Sequence, residues 1–456
     1  MSGWLSRLFG RGGGAAVAPR PVAPPATVPP RPAAAAAQAA PVRATPAGCA
    51  PGEAADPMPL LPRRPLIDRE GRLAGFEFPL PEVMLRRIDQ RAADTVLMAH
   101  LGALAAAARS TADSGRVALI VVPPALPPLR LATPALHPSW RGLWLALDAE
   151  AFAETQQPGL AALAAAGARP GARRVPQRGA AFVHIDAAGQ TPDAACAAVE
   201  ACCRVAPRQA VVVGGLADVE AVEAALAAGA ALAAGHYERQ RSPSAAAALP
   251  PAIGPVTRLL QLLLHGAELP AIAAELRADV SLSYELLRHA NSPLLGLGRQ
   301  IDATDQAVML LGRDALYRWL CARLLAALPG RTTARALQEI ALARALLFER
   351  LAPACGQPPT TLYTLGLLSL LDVMVPMPMA DAVAPLNLPA PAREALVGHA
   401  GALGALLKLA IALERGDAAA AAALAPAYGG LGAVLAAQDA AWLEARQCAA
   451  ELWPAR

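Results

Sequence analysis

Short apolar runs alternate with alanine-rich stretches of helical periodicity between residues 63 and 243. This alternation predicts βα units around a mostly parallel sheet. Arg69, Glu70 and Gly71 separate the first two runs in the manner of a hairpin turn, and helices are predicted over 81–109 and 218–228. Several of the predicted strands are apolar throughout, as strands buried on both faces require. They are 65–68, 73–78, 117–122, 143–148, 181–186 and 210–213.

The pattern changes after a predicted linker at 239–249. Helical periodicity continues from there to residue 456, and β-branched runs disappear. Helix boundaries are indicated by Pro270 in a first turn, by Ser281 and either Asp302 or Thr304 as N-caps, and by Gly312 as a helix end. Apolar stripes on these helices predict a compact all-α bundle. Their members include Leu282, Leu286, Leu287, Val308, Leu311, Leu316 and Leu320.

Composition divides the 456-residue chain into an arm and two folded domains. Residues 1–60 are rich in alanine, proline and glycine, which bury too little apolar surface to fold, so a disordered arm is predicted. An amphipathic turn around Trp4 that contacts a membrane or a partner is the alternative for its first residues. The α/β domain is assigned to 61–243 and the helical domain to 248–456.

Charge and cysteine content narrow the function classes. The net charge is +4, part of it from arginines of the arm, so the nearly neutral folded part argues against nucleic acid as a partner. Seven cysteines without a C-x-x-C pair indicate neither zinc nor redox exchange and fit a reducing cytoplasm. The longest uncharged stretch, between 417 and 439, is alanine-rich and broken by proline and glycine, so no transmembrane segment is predicted.

The helical half resembles the HDOD domain, a helical relative of the HD hydrolases that occurs in bacterial regulators. The resemblance is carried by ELLRHANSPLLGLGRQI at 285–301 and DATDQAVMLLGRDALYRWL at 302–320. GLLSLLDVMVPMPM at 366–379 and LERGD at 413–417 are similar to the C-terminal half of signalling proteins that combine EAL and HDOD domains. The resemblance implies an HD-related, all-α HDOD bundle.

With the HDOD resemblance as an anchor, the first domain resembles an EAL domain, whose active members hydrolyse cyclic di-GMP with divalent metals. RPLIDREGRLAGFEF at 64–78 is similar to the two-stranded opening of that domain, with Glu77 at the signature glutamate. The resemblance implies that His184 occupies the lysine position of active relatives, close to Asp186, and that Gly214 replaces an acidic metal ligand. We therefore expect an α/β barrel-like, degenerate EAL domain without a cofactor.

Neither half carries the residues that its active relatives need. Two-metal phosphodiester hydrolysis requires several carboxylates that converge on two cations. Glu77, Asp148 and Asp186 either hold one magnesium ion or, as we favour, cap loops and pair with arginines. His184 lies in an apolar strand and is interpreted as a hydrogen-bonded core histidine. In the helical domain, the position of the His-Asp dyad of HD enzymes reads LSLLD at 368–372, so metal hydrolysis is not expected there.

Four residues of the helical domain are candidate partner-binding residues. Asn291 and Ser292 end an apolar helix and either cap it, which we favour, or contact a partner. Arg318 and Trp319 belong to residue types that are enriched at interface hot spots, and Trp319 is equally compatible with a place in the core.

These observations predict a cytoplasmic, non-enzymatic bacterial signalling protein whose HDOD domain binds other signalling proteins. Homodimerisation is left open. One alternative is an effector that binds cyclic di-GMP without cutting it, through the arginines at positions 169, 173, 174 and 178. The other alternative is a residual phosphodiesterase that depends on Glu77.

Overall fold

The computed structural model describes residues 63–78, 93–123, 128–132, 140–240, 253–292, 300–328, 331–386 and 388–452. Within these residues, eight strands close into a barrel in sequence order, and the chain from residue 253 onward is helical. The predicted arm at 1–60 and most of the predicted linker lie outside the described residues.

The barrel combines an antiparallel opening with parallel strands. Its strands are β1 (Arg64–Asp68), β2 (Leu73–Phe78), β3 (Val117–Val121), β4 (Trp144–Leu147), β5 (Arg169–Arg173), β6 (Phe182–Asp186), β7 (Ala210–Leu216) and β8 (Leu232–Gly235). Strand β1 pairs antiparallel with β2 and β8, while β2 to β8 pair in parallel. Gly71 has a φ of 71° in the turn between β1 and β2, which glycine adopts without strain. The predicted hairpin is confirmed.

Strands β5 and β8 are absent from the sequence prediction. Strand β5 reads RPGAR and has no apolar run. Its place in the barrel depends on Gly171, because a Cβ there would lie 2.4 Å from the ring of Phe182. The guanidinium of Arg169 lies over the ring of Trp144, 4.3 Å from its centroid. Contacts between distant residues therefore define this strand, whereas β8, which reads LAAG, is too short to stand out by pattern.

Helices follow several of the parallel strands, as βα units require. They are α1 (Ala93–Asp113), α2 (Pro128–Leu131), α3 (Gln157–Ala165), α4 (Pro192–Val205) and α5 (Val219–Ala227). The helix predicted over 81–109 corresponds to α1, and its part before residue 93 lies outside the described residues. Helix α5 matches the prediction over 218–228, with Asp218 as the N-cap that accepts a hydrogen bond from the backbone N–H of Ala221 at 2.8 Å.

The second half is helical, as predicted. Its helices are α6 (Gly254–Leu264), α7 (Leu269–Ala278), α8 (Val280–Ala290), α9 (Thr304–Ala326), α10 (Ala334–Cys355), α11 (Pro359–Leu368), α12 (Leu371–Met374), α13 (Met379–Val383), α14 (Ala390–Gly398), α15 (Gly401–Arg415), α16 (Ala418–Leu424) and α17 (Leu431–Leu452). Short 3₁₀ turns connect some of these helices.

Helix boundaries correct two predicted caps. Pro270 lies in the first turn of α7, as expected. Ser281 is not the N-cap of α8, because Asp279 precedes the helix and its carboxylate accepts a hydrogen bond from the Leu282 N–H at 3.0 Å. Neither Asp302 nor Thr304 is the N-cap of α9, because the helix begins at Thr304, Ala303 holds the N-cap position and no side chain caps it. Gly312 interrupts α9 with φ 72° and ψ 179°. Gly312 therefore divides α9 into two segments, in agreement with the predicted helix end.

One helical stretch of the described residues, Ala390–Arg415, is long and apolar enough to cross a membrane by length and composition alone. Half of its most apolar window is buried within the fold, as in the core helix of a globular protein. His399, with a φ of 49°, separates it into α14 and α15. The helices Ala418–Tyr428 and Leu431–Ala449 are bent by 94° relative to each other. They meet the same criterion of length and composition only if the two are counted together as one span.

The barrel and the C-terminal helices share one apolar core. Because a tight turn joins β1 and β2, no helix of the barrel follows β1 to cover this hairpin. Helices α10 and α17 pack there instead, and Phe76 of β2 meets Trp442 of α17 edge to face at 4.8 Å. An ion pair between Arg116 and Glu339 lies at the same interface. Apolar residues of both parts form a single continuous cluster.

Candidate functional site

The mouth of the barrel, where the carboxyl ends of the parallel strands lie, brings together three of the residues selected from the sequence. Glu77 of β2 and His184 of β6 are each 2% exposed. The Nε2 atom of His184 lies 3.0 Å from Oε1 of Glu77. His184 is two residues after Phe182, whose ring belongs to the apolar interior of the barrel. The two side chains therefore form a buried polar pair above an apolar layer.

Gly214 of β7 provides the space for this pair. A Cβ at position 214 would lie 2.8 Å from Oε1 of Glu77 and 3.1 Å from Nε2 of His184. Any larger side chain must displace one of the two. The space beside position 214 is thus filled by the Glu77–His184 pair itself.

The environment of Glu77 favours its carboxylate. Burial penalises the charged form, but the hydrogen bond and the charge of His184, together with the charge of Arg64, outweigh this penalty and lower the pKa of Glu77. The Nη1 atom of Arg64 lies 4.0 Å from Oε2 of Glu77. An ionised carboxylate is therefore held inside the barrel by neighbouring protein groups.

The other two carboxylates named from the sequence also have protein partners. The Oδ1 atom of Asp186 accepts a hydrogen bond from the Ala188 N–H at 3.0 Å, and Asp186 is exposed. Asp148 lies 3.7 Å from Nη1 of Arg173. Each of these carboxylates thus caps a loop or faces an arginine.

This arrangement does not fit a pair of divalent cations. Two-metal sites hold ions about 3.5 to 4 Å apart with several converging carboxylates. Among the residues that the structure describes, no group of three or more His, Cys, Asp or Glu side chains is placed to hold a metal ion. Glu77, the candidate metal ligand inside the mouth, is hydrogen-bonded to His184 through Oε1.

In the helical domain, Asn291 closes a loop. Its Nδ2 donates to the carbonyl oxygens of Leu287 at 3.0 Å and Ile301 at 2.8 Å, and its Oδ1 accepts from the Ile301 N–H at 2.7 Å. These bonds tie the end of α8 to the segment before α9. Ser292 follows it, and its hydroxyl has no hydrogen-bond partner in the described part of the chain. The capping alternative therefore describes Asn291 well.

Arg318 and Trp319 lie inside the bundle. Trp319 is 2% exposed and belongs to the apolar core. Arg318 is also buried, with Nη2 2.6 Å from Oε1 of Glu349 and its guanidinium 5.4 Å from the ring centroid of Tyr363. Neither side chain is accessible to a partner in this conformation, because neighbouring helices enclose the second half of α9.

The segment at 368–372 carries no histidine, and its polar side chains have structural roles. The hydroxyl of Ser369 donates to the carbonyl oxygen of Gly366 at 2.6 Å and accepts from Nη1 of Arg344 at 3.0 Å. Burial raises the pKa of Asp372 to about 6, although backbone hydrogen bonds and Arg344 act in the opposite direction. This carboxyl is therefore poorly solvated and lies near a buried cation.

A polar network between the two halves escapes the sequence analysis. The Tyr237 hydroxyl donates to Glu414, which also accepts from Nε and Nη2 of Arg344 at 2.8 and 2.6 Å. Beside it, Glu238 lies 2.9 Å from Arg415 and 3.2 Å from Nδ1 of His236. The only sequence signal is that Glu414 and Arg415 belong to the LERGD motif. Their partners on the barrel are more than 170 residues away.

Comparison with known proteins supports the assignment of the helical part. The sequence profile of the HDOD domain matches residues 249–384. The uncharacterized protein YuxH of Bacillus subtilis (strain 168) is 32% identical over 139 residues, which are 30% of this chain and 34% of that protein. The match thus spans about a third of the length of this curated relative.

Solved structures similar to parts of the chain have low scores. The EAL domain of Xanthomonas citri FimX in complex with c-diGMP is 16% identical, with a TM-score of 0.32, and the match covers 41% of this chain and 88% of that one. An HDOD domain protein of unknown function from Geobacter sulfurreducens is 17% identical, with a TM-score of 0.33, and the match covers 47% and 95%. The description of the first half as a barrel therefore depends on its own strand order and not on these similarities. The sequence match shows that the chain contains an HDOD domain at residues 249–384.

Proposed function

We propose that this chain is a cytoplasmic bacterial signal-transduction protein without catalytic activity. In this proposal the barrel is a degenerate EAL-like domain, and the HDOD domain acts by binding another signalling protein. The observation that carries the proposal is the buried Glu77–His184 pair against Gly214. From the resemblance to EAL domains, a hydrolytic relative is expected to hold metal ligands at these positions, and here they hold a hydrogen-bonded pair instead.

The chemistry of the mouth supports the absence of hydrolysis. A phosphodiesterase of this kind positions both the attacking water and the scissile phosphate on divalent cations. Here the glutamate is hydrogen-bonded to a histidine 3.0 Å away, and Asp186 accepts a hydrogen bond from a backbone amide. The arrangement leaves no set of free carboxylates among the described residues of the mouth.

Hydrolysis is tested directly on the full chain. Incubation with cyclic di-GMP and manganese, followed by chromatographic separation of the products, is expected to yield no linear dinucleotide. Formation of linear dinucleotide that is abolished in a Glu77→Gln variant would overturn the proposal. A Glu150→Gln variant, which changes an exposed carboxylate next to Asp148, is the matched control.

Binding of cyclic di-GMP without hydrolysis is the second candidate. The solved FimX EAL domain is in complex with c-diGMP. In this chain, however, Arg169 and Arg173 lie at opposite ends of β5 and engage Trp144 and Asp148. Because the predicted arginine cluster is divided in this way, we expect no heat of binding in titration calorimetry with cyclic di-GMP. Saturable heat that is lost in an Arg173→Gln variant would favour the binding role.

A further inference from the structure

The segment 235–239, which follows β8, lies between the barrel mouth and the C-terminal helices. It borders a cavity of about 100 Å³ at the mouth. Arg64 and Ala188 form the barrel side of this cavity, and Glu414 and Arg415 of α15 form the opposite side. A group that enters the mouth at this point contacts both halves of the protein.

A buried chain of hydrogen bonds connects this segment to two helices of the bundle. Tyr237 and Arg344 are each 3% exposed, and both bind the Glu414 carboxylate. Arg344 of α10 also donates to the hydroxyl of Ser369 at the end of α11, at 3.0 Å. Removal of one of these side chains leaves the others buried without a full set of hydrogen-bond partners. The hydrogen-bonded side chains are therefore expected to rearrange together.

Further contacts hold Glu238 within the segment and Gln240 directly after it. Glu238 lies between His236 and Arg415, with 3.2 and 2.9 Å separations. The Gln240 side chain donates to the carbonyl oxygen of Met377 at 3.2 Å, just beyond α12. The segment is thus bound to α15 on one side and to the turn after α12 on the other.

We propose that the segment 235–239 is a coupling device that links the state of the barrel mouth to the packing of α11 and α12. The outer-wall contacts, such as Phe76 with Trp442, hold the two halves together independently of the mouth. The Tyr237–Glu414–Arg344 chain is the route by which a change at the mouth reaches the HDOD bundle. This device goes beyond the proposed function and does not require that hydrolysis be absent.

A double-mutant cycle with hydrogen exchange on the full chain tests the coupling. Ala188→Trp places a large side chain in the mouth cavity, and Tyr237→Phe removes one hydroxyl from the chain of hydrogen bonds. We expect Ala188→Trp to change the exchange rates of peptides in 359–377 by about fivefold or more, within the usual range of coupling between sites. In the Tyr237→Phe background this change is expected to disappear.

The controls separate coupling from general loosening. Tyr428→Phe, a buried tyrosine of the bundle outside this network, is expected to leave the effect of Ala188→Trp intact. Peptides in 269–290 are expected to keep their exchange rates in every variant. If Tyr237→Phe does not fold, Arg415→Gln serves as the second background and is expected to weaken the effect. An equal change in 359–377 in both backgrounds, or no change at all, would overturn the coupling device.

Discussion

Glu77 and His184 form a buried pair in which each side chain makes the other acceptable inside an apolar barrel. An isolated carboxylate at 2% exposure is strongly disfavoured, and a neighbouring histidine and Arg64 compensate for the lost hydration. The pairing with His184 occupies Oε1 of the carboxylate. A substitution of either residue is therefore expected to affect both the packing and the electrostatics of the barrel mouth.

We expect Glu77→Gln to lower the free energy of unfolding by about 1 to 3 kcal/mol at neutral pH, because a neutral amide is a weaker partner than the carboxylate for His184 and Arg64. The pKa of Glu77 is lowered from its ordinary value of 4.5. Its stabilising contribution is therefore complete above pH 4.5 and is lost as the pH falls through the lower folded value. Urea unfolding between neutral and acidic pH measures both effects. An unchanged stability at neutral pH would contradict the role of the pair.

Gly214→Ala is expected to destabilise the protein by about 1 to 3 kcal/mol, because the added methyl group overlaps the Glu77–His184 pair. Gly254→Ala is the matched control, since a Cβ at position 254 meets nothing within 4 Å and lies in a helix. This control is expected to be neutral or stabilising by up to about 1 kcal/mol. Chemical denaturation of both variants gives the comparison, and equal effects would argue against close packing at Gly214.

At the scale of elements, residues at the helix ends determine how the helices of the second half are positioned. Gly312 divides α9 into two segments, and Asn291 ties the end of α8 to Ile301 ahead of α9. These features position the second half of α9, which contributes Arg318 and Trp319 to the core. Arg318 and Trp319, whose residue types are enriched at interface hot spots, thus contribute to internal packing.

Asn291→Ala is expected to lower the free energy of unfolding by about 1 to 3 kcal/mol, because it leaves the Ile301 N–H and two carbonyl oxygens without this side chain. Ser292→Ala, at the adjacent position, is expected to change stability by less than about 0.5 kcal/mol. Guanidinium unfolding of the two variants in parallel tests the assignment. A neutral Asn291→Ala variant that loses a binding partner would instead support the interface alternative.

Asp372 at the start of α12 is expected to make stability depend on pH. Its pKa is raised from 3.8 to about 6, so the folded protein holds more protons than the unfolded chain in this range and stability falls as the pH rises through it. Asp372→Asn is expected to remove this decline and to raise the free energy of unfolding at pH 7, by up to about 1.4 kcal/mol for each pKa unit. Thermal unfolding at pH 5 and pH 7 checks the sign, and a less stable variant at pH 7 would contradict it.

At the scale of the whole molecule, the C-terminal helices complete the barrel. The hairpin turn leaves β1 without a helix of its own, and α10 and α17 of the bundle pack against the hairpin at β2. The ion pairs of Arg331 with Glu220 and Glu223 connect the loop before α10 to α5. The two halves are therefore expected to unfold as one cooperative unit.

Trp442→Ala tests this expectation, because Trp442 is 8% exposed and contacts Phe76 of the barrel. We expect the free energy of unfolding to fall by about 3 to 5 kcal/mol. The barrel and the bundle are still expected to unfold in one transition. Leu443→Ala, next to it and 58% exposed, is expected to cost less than about 0.5 kcal/mol. Circular dichroism together with hydrogen exchange follows both halves. A bundle that melts while the barrel retains its protection would disprove the shared core.

The sequence by itself determined six of the eight barrel strands and the change to helices in the second half, because apolar runs and helical periodicity act over a few neighbouring residues. It also selected Glu77, His184 and Gly214 as residues of one candidate site, through the resemblance of the first domain to EAL domains. Only the tertiary structure decided that Glu77 meets His184, 107 residues away, that RPGAR becomes β5, and that Tyr237 binds Glu414. Such contacts depend on barrel closure and on docking of the helices, which bring together residues that carry no local signal of their proximity.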